Sequence, residues 1–170
     1  MQLLKVLRDT RPANVKANRA RARKGKEKIM KLSARNQLKG IITNVAEGAV
    51  NGVVTIDLGG IPVTADITMN SIDELGLAEG KEAFAVIKAT NVMFAAGTER
   101  IANISARNQL PGTIAEVKKG AVNGHVALAL ADGNRITGSI TNAAIDELGL
   151  AEGQPALAVI KATDVMVGIE

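Results

Sequence analysis

A few residue types stand where they can do chemistry, and most of them do so twice. Ser33-Ala34-Arg35-Asn36 offers a hydroxyl, backbone N–H groups and a guanidinium fork within four residues. That set suits an oxyanion, which needs several donors at once; it also reads as a surface turn ahead of a strand. Lys88 follows Ala85-Val86-Ile87, and strand alternation predicts that it shares a face with Val86 and Phe84. A lysine on an apolar face either snorkels to water, guards a sheet edge or meets an anion. Thr68, Asn70 and Ser71 stand before or at the start of a short expected helix, Ser71–Gly76, whose free N–H groups can be capped or can attract an anion. Asp73 and Glu74 in that turn would repel an anion brought too close.

Other chemistry has few residues to work with. There is no Cys, so disulfides, thiol nucleophiles and thiolate metal sites are excluded. His125 is the one histidine, so a histidine metal cluster is excluded and a Ser-His-Asp arrangement has a single candidate. Asp73-Glu74 and Asp146-Glu147 are adjacent on helical turns and point apart, which suits neither an acid–base pair nor a metal site. Gly48-Ala49-Val50-Asn51-Gly52 lacks the Gly-Lys-Ser/Thr ending of a phosphate loop. No catalytic constellation emerges, and the chain is not expected to be an enzyme. Phe84 and Phe94 are the only aromatic residues, against 46% hydrophobic residues overall. The core must therefore be aliphatic, and stacking platforms for single strands are not available.

The elements that must position these residues come from a duplication. Ser33-Ala34-Arg35-Asn36-Gln37-Leu38 returns as Ser105 to Leu110, Gly48 to Gly52 as Gly120 to Gly124, Ile72 to Gly80 as Ile145 to Gly153, and Ala85 to Thr90 as Ala158 to Thr163. The offset is 72 up to Leu58/Leu130 and 73 afterwards, and 38 of 62 aligned positions are identical. Ser105, Arg107, Thr141 and Lys161 thus repeat Ser33, Arg35, Thr68 and Lys88, while Ala144 replaces Ser71. Each unit reads as about five short strands: 38–45, 53–58, a hairpin turn at Gly59-Gly60, 61–68, 83–87 and 91–94. Ser71 and Glu74 have capping-box spacing, and Gly76 suits a left-handed stop. The expected fold class is all-β: two tandem five-stranded barrels of the oligonucleotide/oligosaccharide-binding (OB) type, each with one short helix. A small antiparallel sandwich is the alternative. The organisation is a basic arm at 1–31, a first domain at 32–96, a connector at 97–104 and a second domain at 105–170. Units of about 65 residues bury small cores, so the copies are expected to pack on each other or on other chains.

The series Ser-Ala-Arg-Asn-Gln-Leu, Gly-Ala-Val-Asn, Ile-Thr, Asp-Glu-Leu-Gly-Leu and Ala-Val-Ile-Lys-Ala-Thr-x-Val-Met, present twice in order, resembles the Mop family of molybdate-binding domains, also grouped as transport-associated OB (TOBE) domains. The resemblance covers both repeats, about four fifths of the chain. It implies no catalysis or organic cofactor and the binding of molybdate or tungstate between domains. Carried over by motif, Ser33, Ala34 and Arg35 come from one domain, and Thr68, Ser71, Lys88 and Ala89 from another. The second copy offers Ser105, Ala106, Arg107, Thr141, Lys161 and Ala162, without a hydroxyl at Ala144. A second type of site, around Gly48–Asn51 and Gly120–Asn123, is also implied.

Charge separates the arm from the body. Residues 1–31 carry 11 basic against two acidic side chains, a net of +9, and the remainder carries 10 against 15, a net of −5. The formal +4 therefore says little about what the folded part binds. The arm is too short for a winged helix-turn-helix domain; it reads as a solvated tail or a contact for nucleic acid. No run of apolar residues is long enough to span a membrane. The expectation is a cytoplasmic homo-oligomer, with a trimer favoured, that stores or buffers the oxyanion; the alternative is the molybdate-sensing part of a transcriptional regulator.

Overall fold

The computed structural model describes residues 30–170. The expectations for the basic arm fall almost wholly on residues 1–29, outside the described residues. The first repeat runs β1 (Asn36–Ala46), β2 (Asn51–Asp57), β3 (Pro62–Thr68), α1 (Met69–Leu75), β4 (Glu82–Ile87), a 3-10 turn (Ala89–Asn91) and β5 (Met93–Ala96). The second runs β6 (Asn108–Lys119), β7 (Asn123–Leu130), β8 (Arg135–Thr141), α2 (Asn142–Glu147), β9 (Pro155–Ile160), a 3-10 turn (Ala162–Asp164) and β10 (Val165–Gly168). The all-β, twice-five-stranded architecture read from the sequence is the observed one. Among the described residues, no helix is long and apolar enough to cross a membrane.

The last strand of each repeat belongs to the other repeat's sheet. One sheet has the order β10-β4-β1-β2-β3, and the other β5-β9-β6-β7-β8. Val165 of β10 pairs with Ile87 of β4, and Met93 of β5 pairs with Val159 of β9. Beyond its ladder, β10 packs against β3 and β5 against β8, so the exchanged strand helps close each barrel. The aliphatic interiors merge into one cluster that contains Leu38, Ile42, Val54 and Ile87 together with Leu110, Ile114, Leu128 and Ile160.

Two local features let each long first strand serve two neighbours. β1 pairs with β4 through residues 36–41 and with β2 through residues 41–46. Its register slips between Ile42 and Asn44, and β6 slips at the same place, between Ile114 and Glu116. Such a bulge bends the strand and raises its twist, as barrel closure requires. Gly40 and Gly112 stand at the crossing, where a Cβ would overlap the carbonyl oxygen of Asp57 or Ala129.

Two sequence expectations are corrected. The cap of α1 is Thr68, not Ser71: Thr68 Oγ1 accepts the Ser71 N–H at 3.2 Å, and Glu74 takes the Asn70 amide instead of closing a capping box. The helix begins three residues earlier because Thr68 ends β3 in extended backbone with its hydroxyl already in reach. Lys88 does not share the apolar face of β4. It lies one residue past the strand, exposed, at the entrance to the 3-10 turn. Phe84 and Val86 instead pack with Ala34 and Met30. Gly76 is left-handed as expected, with φ 58°.

Candidate functional site

The chain crosses from one barrel to the other at Lys88 and at Lys161, and the recurring Ser-Ala-Arg-Asn tetrads meet it there. The β1–β4 ladder ends at the pair Asn36–Ile87, so Arg35 and Lys88 stand one residue beyond it on adjacent strands. The β6–β9 ladder ends at Asn108–Ile160, which sets Arg107 beside Lys161 in the same way. Ala34 and Ala106 are buried and anchor the tetrads, while Ser33, Arg35, Lys88, Ser105, Arg107 and Lys161 are exposed. Among the described residues none of these four cations has a carboxylate partner. Each end therefore presents a hydroxyl, a guanidinium and an ammonium, with Ala89 or Ala162 opening the turn alongside.

The asparagine of each tetrad fixes this end against the other repeat. Asn36 Nδ2 donates to the carbonyls of Ile87 at 3.2 Å and Thr137 at 2.9 Å, and its Oδ1 accepts the Thr137 N–H at 2.7 Å. Asn108 mirrors it on Thr64, with bonds of 2.8 and 2.7 Å. Both asparagines are 2% exposed, so these bonds replace water completely. Their recurrence was visible in sequence; their role as clamps between repeats was not, because Thr64 and Thr137 are distant in the chain. Gln37 and Gln109 add a second layer. Gln109 donates to the carbonyls of Ile101 and Ala106 and accepts the Ile101 N–H.

Thr68 and Ser71 lie elsewhere. Thr68 pairs with Asn51, at the Ala46 end of β1, ten residues from Asn36 and roughly 30 Å along an extended strand. Thr141 pairs with Asn123 at the corresponding end of the second sheet. The structure thus groups Lys88 and Ala89 with Ser33–Arg35 of their own repeat, and Lys161 and Ala162 with Ser105–Arg107. It does not bring Thr68, Ser71 or Thr141 to those groups within the chain. At the far ends, Thr68 Oγ1 and Ser71 Oγ lie 2.9 Å apart, and Thr141 Oγ1 accepts the Ala144 N–H at 3.2 Å.

A cleft of about 400 Å³ opens beside the second tetrad. Gly60, Pro62 and Thr64 of the first repeat form one wall, and Arg100, Arg107 and Pro111 lie on the other. Arg100 was not singled out in the sequence, because it falls in the connector and outside every repeated motif. His125 is exposed on β7 opposite Lys118. No grouping of three or more metal-ligating side chains occurs among the described residues.

Comparison with known proteins adds identity to this geometry. The TOBE domain family model matches residues 32–94 and 104–167. The chain is 42% identical over 142 residues to the molybdenum transport protein ModE of Herbaspirillum seropedicae, covering 83% of this chain and 52% of that protein. It is 45% identical over 141 residues to the molybdenum-pterin-binding protein MopA of Rhodobacter capsulatus, covering 82% and 53%. The chain spans about half the length of these curated relatives. Among solved structures, that of the cytoplasmic molybdate-binding protein ModG, with molybdate bound, superposes with a TM-score of 0.79 at 46% identity, over 83% of this chain and all of that one. Two matched segments, each carrying the same tetrad and crossover lysine, show that this chain belongs to the TOBE domain family and holds that domain twice.

Proposed function

We propose that the protein binds molybdate or tungstate as an intact dianion, for storage or buffering rather than catalysis. The observation that carries the reading is the paired cation at each crossover. Arg35 with Lys88, and Arg107 with Lys161, supply two positive charges apiece, free of carboxylates among the described residues. A guanidinium and an ammonium balance a dianion, while Ser33 or Ser105 and nearby N–H groups satisfy its oxygens. In the free chain these groups are exposed; a partner must exclude water for strong binding. Thr68, Ser71 and Thr141 are the groups left over, and they reach a crossover site from another copy of the chain. This supports a homo-oligomer, for which we propose a trimer. The ModG structure, described as cytoplasmic and molybdate-bound, supports both ligand and compartment.

Calorimetry with molybdate on the full chain tests the reading, with tungstate equivalent and sulfate a poor competitor. Absence of heat with both molybdate and tungstate rejects it. Molybdenum and tungsten content of the purified protein, measured beside its native mass, gives stoichiometry and assembly together.

A second reading has its own observation. The net +9 of residues 1–31 suits a polyanion, and a longer relative, matched over 52% of its length, carries the name of a molybdenum transport protein. In this reading the tandem domains sense molybdate within a regulator. Mobility shift of DNA at physiological salt, with and without residues 1–31, separates the two: equal and negligible binding by both removes the regulatory reading.

A further inference from the structure

We propose that Arg100 is an anion-binding residue of the second-repeat site, contributed by the connector between the repeats. The inference rests on the reading of Arg107 as an oxyanion ligand. Arg100 is exposed, and its Nη2 donates to the backbone carbonyl of Arg107 at 3.4 Å. Both arginines line the inter-repeat cleft, whose lining holds no Asp or Glu. Neither has an ion pair among the described residues. Two guanidinium forks on one cleft without a carboxylate leave a local excess of positive charge and of N–H donors. An oxyanion balances that charge and takes up those donors.

The connector is held for this purpose by a buried side chain. Ile101, next to Arg100, gives its N–H to Gln109 Oε1 at 2.8 Å and receives the Gln109 Nε2 donor on its carbonyl at 3.0 Å. Gln109 lies in β6 two residues after Arg107, so the same strand sets both arginines. The cleft also joins the repeats: its opposite wall is the turn and first residues of β3.

The test is calorimetric titration of molybdate into the full chain for wild type, Arg100→Gln, Arg100→Lys and Arg107→Gln, at low and at raised salt. Arg100→Gln is expected to weaken one class of sites about tenfold, as for loss of a charge-assisted hydrogen bond, and to leave the other class unchanged. Arg100→Lys recovers part of the loss, and the salt dependence of the affected class falls in Arg100→Gln. The proposal is overturned if wild type binds, Arg107→Gln loses a class of sites and Arg100→Gln matches wild type. If wild type gives no heat, or Arg107→Gln matches wild type, the underlying reading fails and the proposal with it. Unchanged thermal unfolding of the exposed-site variant shows that folding is not the cause.

Discussion

The two repeats are near copies, yet they complete each other with unequal pieces. The first repeat sends Phe94 across the exchange and the second sends Val167 back. Phe94 lies on Gly138, where a Cβ would overlap its ring, whereas the position equivalent to Gly138 is Ala65. A large donor residue meets a small acceptor on one side, and Val167 and Ala65 hold the equivalent positions on the other. The clamps match across the exchange, with two hydrogen bonds each from Asn36 to Thr137 and from Asn108 to Thr64, and Asn36 adds a third within its own repeat, to the Ile87 carbonyl. The lesson is that the hydrogen bonds are repeated at both interfaces while side-chain size is fitted to each one separately, because close packing is tested where surfaces meet.

That comparison can be broken most forcefully at the exchanged strands. Phe94→Ala is expected to cost about 3–5 kcal/mol in chemical denaturation, and Val167→Ala about 1 kcal/mol. Equal costs would mean that the barrels do not depend unequally on their borrowed strands. Next come the clamps. Asn36→Leu strands the Thr137 N–H and two carbonyls, at about 1–3 kcal/mol for each buried group left unpaired, and Asn108→Leu costs less by roughly one such group. Urea unfolding of both variants checks the ranking.

The binding predictions are smaller. Arg35→Ala should weaken molybdate binding at least tenfold at one class of sites, with Arg107→Ala acting on the other, as read by calorimetry. Ala144→Ser should tighten one class of sites by a few-fold, and Ser71→Ala should loosen the other by a similar factor. Smallest is a pH effect confined to the second repeat. Lys118, 2.8 Å away, and Arg135 hold the Glu116 carboxyl below its ordinary value of 4.5, and the first repeat has Asn44 there. A lowered folded pKa favours the native state above the unfolded value, and that contribution is lost as pH falls through the folded one. The group is exposed, so Glu116→Gln should flatten the acid limb of a thermal-stability profile only slightly below pH 4.5.

Much of the fold was legible because its signals are local. Alternation gave the strands to within two or three residues, and Gly76 gave the left-handed stop. The cap was misplaced because Thr68 and Ser71 both satisfy the chemistry of a cap, and only the end of β3 decides between them. Lys88 was misplaced because alternation assumes that the strand continues, whereas the chain turns off at Ile87 to cross. Arg100 was missed because it borders the site through a backbone carbonyl and a cleft wall 40 residues away in sequence.

By itself, then, the sequence determined a duplicated all-β chain, its aliphatic core, the residue types available to an oxyanion and the inequality of Ser71 and Ala144. The tertiary structure decided which strand closes which barrel and, through the ladders of β1 with β4 and of β6 with β9, which cations stand side by side. The physical reason is symmetry of information. Two 61%-identical repeats, 38 of 62 positions, present nearly the same edge to β5 and to β10, so pattern cannot say whose edge each strand takes. The short turns at Ala89–Asn91 and Ala162–Asp164, the clamps of Asn36 and Asn108, and the fit of Phe94 onto Gly138 settle it in three dimensions.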